Sequence, residues 1–180
     1  MRMLRCRICG ETYLGTDAPS RCPFCGAGRH LMVESDDFEP PRDLQPTETE
    51  RSDLETAIEL ERGNARFYAA VALLGGDDAL ASAFKRLSAI EAEHCSVFSK
   101  LAGERKPDDL RIPSGSPESF RAAVVESRER ELNARTFYLE AAGRATDPRI
   151  QEVFSAIADV ENDHLAFDEM AAARLSGSGA

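Results

Sequence analysis

The stretch Glu91-Ala92-Glu93-His94 decides how the rest of this 180-residue chain is interpreted, because its pattern returns seventy residues later as Glu161-Asn162-Asp163-His164. The chain has three histidines, and two of them stand in these Glu-x-x-His segments. Residues three apart in an α-helix share one face, so each glutamate lies beside its histidine. The repeat therefore indicates two helices that each present a carboxylate and an imidazole.

Two further residues take part in the same repeat. Glu61 and Tyr68 return as Glu131 and Tyr138, again after seventy residues. In each half the two glutamates are thirty residues apart, and their midpoints fall in segments that read as turns. Residues equidistant from the turn of an antiparallel hairpin lie at the same height, here about 22 Å along each helix. The sequence thus predicts a duplicated helical hairpin whose four glutamates meet at one level.

These acids favour a metal site over ordinary surface carboxylates. Glu91 and Glu161 interrupt apolar stripes, and nothing basic repeats on that face to pair with them. An unpaired buried carboxylate costs several kcal/mol, which two divalent cations would offset. Mixed oxygen and nitrogen ligation favours iron or manganese over a closed structural zinc site. The predicted dimetal ligands are Glu61, Glu91, His94, Glu131, Glu161 and His164.

Four helices are expected to carry this site. They run from about residue 48 to Leu74, from Asp77 or Asp78 to Gly103, from Ser116-Pro117-Glu118 to about Arg144, and onwards from Thr146-Asp147-Pro148. The segment between the second and third helices could extend to about 45 Å, whereas a helix of this length is about 38 Å. It can therefore cross the whole bundle, which predicts a mainly α, ferritin-like four-helix bundle with a crossover connection.

The amino-terminal region carries a second metal motif in its cysteines. Two Cys-x-x-Cys pairs, Cys6/Cys9 and Cys22/Cys25, stand twelve residues apart and bring four thiolates to one tetrahedral site for iron or zinc. From the cysteines alone, a zinc ribbon is the safer interpretation. The fifth, Cys95, is expected to be a small buried side chain, and the third histidine, His30, an exposed loop residue.

Composition narrows the classes of partner. Acidic residues outnumber basic ones by 32 to 22, giving a net charge of −10, so nucleic acid and anionic membranes are not expected partners. No apolar run approaches a membrane span, and the first residues lack a signal-peptide pattern, which predicts a cytoplasmic protein. The expected domains are a small metal-binding domain (1–33), an acidic proline-rich linker (34–47), the helical bundle (48–175) and a flexible tail (176–180).

With its two cysteine pairs and its doubled Glu-x-x-His, the sequence resembles the rubrerythrins over nearly its whole length. The resemblance implies a rubredoxin-like iron domain, here before the bundle and in most members after it. It also implies a di-iron centre with Glu61 and Glu131 as terminal ligands, and with one histidine on each iron. Glu91 and Glu161 would bridge the irons. Tyr68 and Tyr138 would hydrogen-bond the ligating carboxylates, although aromatic core packing explains them nearly as well.

One position departs from the family pattern. Typical members carry an additional ligand glutamate one turn after the third-helix glutamate, where this chain has Ala134 and, in the repeat, Asn64. The remaining six-residue set is shared with bacterioferritin-type sites, which keeps an iron-handling function open. Asp168, one turn after His164, either orients an imidazole or is an exposed helix acid.

The leading functional hypothesis is a peroxidase. The reduced di-iron centre would reduce hydrogen peroxide to water, and the four-cysteine iron would return electrons from an external reductase or a rubredoxin, with NADH as the source. The alternatives are a ferroxidase or iron-storage protein, a redox sensor with a zinc ribbon, and an O2-activating hydroxylase. A homodimer is expected, arranged head to tail as is usual in the family.

Overall fold

The computed structural model describes residues 1–40, 44–115 and 117–177. It confirms the predicted fold class, a four-helix bundle preceded by a small strand-containing domain that brings four cysteines together. The linker residues 41–43, Ser116 and the last three residues of the predicted tail lie outside the described residues. The bundle helices are α1 (Glu48–Val71), α2 (Asp78–Ala102), α3 (Phe120–Arg144) and α4 (Pro148–Gly177).

Side-chain contacts fix the directions of the helices. The α1 carbonyls of Ala65 and Ile58 accept hydrogen bonds from α2 residues Ser88 and Cys95, so the later α2 residue meets the earlier α1 residue. Tyr68 of α1 contacts Glu131 of α3, and Tyr138 of α3 contacts Glu61 of α1. The later residue of α3 thus again meets the earlier residue of α1. Both α2 and α3 are therefore antiparallel to α1 and parallel to each other. The crossover between them is confirmed.

Most helix ends follow their local sequence. Asp77 caps α2 by accepting from two backbone N–H groups of the first turn, and Gly103 ends that helix with a φ of 71°, which favours glycine. The predicted start of α3 at Ser116-Pro117-Glu118 is wrong. Ser119 is the residue that accepts from the N–H of Ala122, so the helix begins at Phe120. A serine cap satisfies an otherwise unpaired backbone donor, which proline at the first position does not do.

Glu50 ties the start of α1 to the turn before α4. Its side chain forms a capping box with Thr47, and its other oxygen accepts from the N–H groups of Thr146 and Asp147, at 2.8 and 2.7 Å. Burial acts to raise the pKa of Glu50, but the backbone N–H groups of Asp147 and Thr47 outweigh it and lower that pKa to about 2. The ionised carboxylate therefore holds the two hairpins together at this end of the bundle.

We expect Glu50→Gln to lower the free energy of unfolding at pH 7 by about 2 kcal/mol, because charged acceptors are replaced by a neutral amide. The lowered pKa means that this contribution is full above the unfolded pKa of about 4.5 and fades as the pH falls towards 2. Urea unfolding at pH 7 and pH 3 measures both values. Glu48→Gln, at an exposed position of the same first turn, is the control and should change little at either pH.

A three-stranded antiparallel sheet organises the amino-terminal domain. Its strands are β1 (Arg2–Cys6), β2 (Thr12–Gly15) and β3 (Met32–Glu34), with β1 in the centre. Beyond β3, a 3-10 turn covers Ser35–Asp37 and the Phe38 ring packs under the Arg5 guanidinium at 3.7 Å. Part of the predicted linker thus packs on this domain. At the other end of the chain, α4 continues through Gly177, into the predicted tail.

The amino-terminal domain packs directly on the bundle. Its buried cysteines and Leu4 share one hydrophobic core with residues of all four helices. Arg149 of α4 donates to the backbone carbonyls of Arg7 and Ile8, at 2.6 and 3.0 Å, and Arg7 pairs with Glu152 at 2.8 Å. The two metal-binding regions are consequently held side by side. No helix in the described part of the chain is long and apolar enough to cross a membrane.

Candidate metal centres

The structure brings the six predicted bundle residues together in its core. They form two overlapping clusters, and within each cluster the candidate ligand atoms lie within 4.8 Å of one another. One cluster contains Glu61 and His94, the other contains Glu131 and His164, and both contain Glu91 and Glu161. A pair of carboxylates shared between two clusters suits two neighbouring cations.

Both imidazoles turn Nδ1 towards the carboxylates. Nδ1 of His94 lies 2.8 Å from Glu91 and 3.4 Å from Glu61. Nδ1 of His164 lies 2.8 Å from Glu161 and 3.1 Å from Glu91. The two rings are 6.2 Å apart between centroids and nearly parallel, with an interplanar angle of 24°. Each histidine therefore offers one ring nitrogen to the shared carboxylates from opposite ends of the site.

The charge and hydrogen bonding of this site fit cations. Each of the four glutamates has at least one buried oxygen, and each histidine a buried Nδ1, without a hydrogen-bond partner among the described residues. Burial and the neighbouring Glu91 raise the pKa of Glu61 to about 8, and burial also raises the pKa of Glu161. Protons thus balance part of the buried negative charge. Metal ions would replace those protons and satisfy the unpaired atoms.

Each tyrosine of the repeat binds a glutamate on the other hairpin. The hydroxyl of Tyr138 on α3 donates to Glu61 on α1 at 2.6 Å, and that of Tyr68 on α1 donates to Glu131 on α3. Both tyrosines are fully buried. These hydrogen bonds fix the orientation of one carboxylate in each cluster and join the hairpins beside the site.

Among the described residues, Tyr68 has a second buried polar neighbour and Tyr138 does not. The Tyr68 hydroxyl lies 3.1 Å from Oγ of Ser127, which donates to Asp168 at 2.7 Å. Burial raises the pKa of Asp168 to about 7. Its second oxygen and Nε2 of His164 both lack a hydrogen-bond partner among the described residues, so Asp168 binds Ser127 and does not bind the imidazole.

The four cysteines form the second metal-binding cluster. Sγ of Cys6 lies 3.7 Å from that of Cys25, and Sγ of Cys9 lies 3.8 Å from that of Cys22. A disulfide needs about 2.05 Å. A metal–sulfur bond of about 2.3 Å gives a tetrahedron with edges of about 3.8 Å, so the spacing fits one tetrahedral metal ion.

Two tight turns present these thiols. In each turn the glycine after the second cysteine donates its N–H to the carbonyl of the first, from Gly10 to Cys6 and from Gly26 to Cys22, both at 2.9 Å. The glycines have φ values of 82° and 78°, in the left-handed region that other residues rarely adopt. The second turn faces the bundle, where a Cβ on Gly26 would lie 2.7 Å from Cγ1 of Val160.

A hydrogen bond joins the two metal-binding clusters within one chain. Nε2 of His94 lies 2.8 Å from the backbone carbonyl oxygen of Cys25. A carbonyl can only accept, so Nε2 carries a proton, and Nδ1 is the nitrogen that faces the glutamates and could bind a metal. Arg21 secures the contact through Asp159 at 2.5 Å and Asp163 at 2.7 Å. One imidazole thus touches the bundle cluster with one nitrogen and a cysteine residue of the other cluster with the second.

The remaining sequence predictions also have structural outcomes. Cys95 is fully buried, and His30 is exposed. Ala134 is fully buried, and Asn64 accepts a hydrogen bond from Arg130 at 3.4 Å, so neither places a carboxylate in the site. Sequence reasoning missed Ser127 and Arg21. Ser127 lies one turn before Glu131 on the same face, which would have revealed it, whereas the partners of Arg21 depend on how the domains dock.

Comparisons with known proteins agree with both sites. Residues 5–31 match the rubrerythrin rubredoxin-like domain, and residues 53–171 match the rubrerythrin family. A curated relative, reverse rubrerythrin-1 of Clostridium acetobutylicum, is 35% identical over 115 residues, which cover 58% of this chain and 64% of that protein. The four-cysteine site and the carboxylate–histidine cluster fit one iron and a di-iron centre. The chain belongs to the rubrerythrin family.

Proposed function

We propose that this protein is a di-iron oxidoreductase that reduces hydrogen peroxide to water in defence against oxidative stress. The observation that supports this most directly is the hydrogen bond between His94 and Cys25. It connects a site suited to two-electron chemistry with a site suited to one-electron transfer, and iron storage alone would not require that connection. Membership of the rubrerythrin family supports the same reaction class.

The proposed ligand roles follow the two clusters. Glu91 and Glu161 occur in both clusters and would bridge the metals, whereas Glu61 and Glu131 each occur in one and would be terminal ligands. His94 and His164 would each bind one iron through Nδ1. Cys6, Cys9, Cys22 and Cys25 would hold the single iron.

Two ferrous ions in the bundle would supply the two electrons that, with two protons, convert one molecule of hydrogen peroxide into two of water. The protein positions and shields this chemistry. Tyr68 and Tyr138 hold one carboxylate of each cluster, and the six ligand residues are at most 4% exposed, which limits access to small molecules. Ser127 lies beside the Tyr68 hydroxyl and donates its own proton to Asp168.

Electrons would reach the bundle through the cysteine domain. The route is short: from Cys25 through its carbonyl and the hydrogen bond into the His94 ring. It lies within one chain, so a head-to-tail neighbour is not needed to complete it. The proposed donor is an NADH-linked reductase or a rubredoxin. The cytoplasmic location stays a prediction.

Single-turnover mixing tests the choice of oxidant. The iron-loaded protein is reduced anaerobically and mixed with peroxide or with O2, and oxidation is followed by absorbance. We expect peroxide to oxidise the bundle irons faster than O2 at equal concentration, and the four-cysteine iron to be oxidised afterwards through the relay. Faster oxidation by O2 would reject the peroxidase proposal.

The second candidate is a ferroxidase or other iron-handling protein. It is favoured by Ala134, which leaves the plain six-residue ligand set at this site. This function requires uptake of many ferrous ions per chain and assembly beyond a dimer. Iron analysis after aerobic loading separates the two functions, because the peroxidase binds about three irons per chain, two in the bundle and one at the cysteines.

A further inference from the structure

Cys25 takes part in both metal-binding regions of the chain. Its thiol lies 3.7 Å from that of Cys6 in the cysteine cluster, and its backbone carbonyl accepts a hydrogen bond from Nε2 of His94 at 2.8 Å. Cys25 is 1% exposed and His94 is fully buried, so water does not compete for this hydrogen bond. A metal held by the cysteines therefore acts on the residue that orients one of the bundle histidines.

The amino-terminal domain depends on such a metal for its order. Its three strands contain five, four and three residues, and all five cysteines of the chain are free thiols. A domain of fewer than about 40 residues usually needs a metal or disulfides to fold. Since no disulfide joins the two cysteine turns, metal coordination fixes the position of the Cys25 carbonyl more firmly than the polypeptide alone does.

Contacts with α4 hold the second cysteine turn on the bundle. Arg21, just before this turn, pairs with Asp159 at 2.5 Å and with Asp163 at 2.7 Å. Gly26 packs so closely on Val160 that an added Cβ would lie 2.7 Å from Cγ1 of that valine. Ordering of the turn by a metal is therefore transmitted to this end of the bundle.

The other bundle histidine provides an internal comparison. Nδ1 of His164 lies 2.8 Å from Glu161, but its Nε2 has no hydrogen-bond partner among the described residues. A hydrogen bond to the outer nitrogen of a ligating histidine fixes the ring, and its loss typically lowers metal affinity by about 10–100-fold. Order at the cysteines can act in this way on His94 and not on His164.

We propose that a metal at the four cysteines controls the loading of the bundle. It raises the affinity of the His94 half-site, which consists of Glu61 and His94 with the two shared glutamates, and leaves the half-site of His164 unchanged. The bundle then completes its metal pair after the cysteine site is filled, so a redox-active pair does not assemble in a chain that lacks its electron relay. Coupling between binding sites is reciprocal, so metals in the bundle also tighten binding at the cysteines. The inference requires both metal sites but not the proposed reaction.

Manganese binding to the full-length protein, with and without zinc at the cysteines, tests this coupling. Zinc takes four thiolates, whereas Mn(II) prefers carboxylates and imidazoles, so the two metals occupy separate sites. The reduced, metal-free protein is titrated with Mn(II) before and after addition of stoichiometric Zn(II), and free Mn(II) is measured by electron paramagnetic resonance. Zinc should tighten one of the two manganese binding steps by about tenfold or more and change the other little. Equal tightening of both steps, or no change in either, would overturn the proposal.

Removing one histidine at a time shows which half-site responds. In His164→Ala, zinc should still tighten manganese binding by about tenfold, because His94 keeps its hydrogen bond to Cys25. In His94→Ala, the remaining half-site has no contact of this kind, and zinc should leave its affinity unchanged. An equal response to zinc in the two variants would contradict the proposal.

A variant outside both ligand sets tests the route of the coupling. Arg21→Gln weakens the docking of the cysteine turn and should reduce the zinc effect by about threefold, as expected for the loss of two exposed ion pairs. Arg2→Gln is the matched control, because Arg2 pairs with Glu34 inside the amino-terminal domain, and it should keep the full effect. Circular dichroism and zinc content should be unchanged in both. A full zinc effect in Arg21→Gln would contradict transmission through the docked turn.

Discussion

Replacing Glu91 and Glu161 by methionine is expected to abolish metal binding in the bundle and to stabilise the metal-free protein. Methionine has a similar length and no charge to desolvate, and exchanging buried charges for apolar side chains often stabilises a protein by about 1–4 kcal/mol. After the exchange, each histidine still has one glutamate near its Nδ1. Glu61 lies 3.4 Å from Nδ1 of His94, and Glu131 lies 3.5 Å from Nδ1 of His164. Urea unfolding of both metal-free proteins measures the change.

Metal analysis completes this experiment. The double variant should retain about one metal ion per chain, at the cysteines, where the unaltered protein retains about three. Glu55→Met, at an exposed position of α1, is the control and should leave metal content and stability nearly unchanged. If the metal-free double variant unfolds at a lower urea concentration than the metal-free parent, the prediction is contradicted. The buried carboxylates would then not destabilise the metal-free protein.

Gly26→Ala is expected to slow electron transfer from the cysteine iron to the bundle by about tenfold or more. Its Cβ would stand 2.7 Å from Cγ1 of Val160, so the cysteine turn must move away from α4 and lengthen the hydrogen bond between Cys25 and His94. Displacing reacting groups by on the order of 1 Å can lower a rate by this factor. Stopped-flow absorbance of the reduced protein after mixing with peroxide measures the oxidation of the cysteine iron.

The other cysteine turn offers a matched control. Gly10 has nearly the same φ, 82° against 78°, but the nearest side-chain atoms to its added Cβ are 3.8 Å away. Gly10→Ala therefore introduces the same backbone strain, about 1–2 kcal/mol, without pushing on the bundle, and should leave the transfer rate unchanged. Adding Val160→Ala to Gly26→Ala should recover much of the rate. Equal slowing in both glycine variants would mean that strain in the turn, and not domain contact, sets the rate.

The bundle could be predicted closely from the sequence because the residues that define it recur at regular intervals. Thirty residues between paired glutamates and a turn at each midpoint determine that their carboxylates meet, whatever the details of packing. The start of α3 could not be placed in the same way. Ser116-Pro117-Glu118 and Ser119 are both plausible starts by local rules, and choosing between them depends on where the crossover segment ends.

The connection between the two sites could not be predicted from the sequence. The cysteine spacing fixes a metal site, but the contact of Cys25 with His94 depends on the docking of two domains joined by a proline-rich linker. That docking relies on pairs such as Arg21 with Asp159, which are distant in sequence and carry no repeat. The link from Asp168 to Ser127 was missed for a similar reason, because the expected partner, His164, was the nearer one along the chain.

The docked cysteine domain makes the two ends of the duplicated bundle site different from each other. His94 is fully buried, and its Nε2 donates to the backbone carbonyl of Cys25. His164 is 4% exposed, and its Nε2 has no hydrogen-bond partner among the described residues. Two half-sites built from the same repeat are therefore not interchangeable. In the proposed reaction, electrons would come in at the His94 side and the oxidant would approach from the His164 side, so reductant and oxidant would not compete for the same face of the protein.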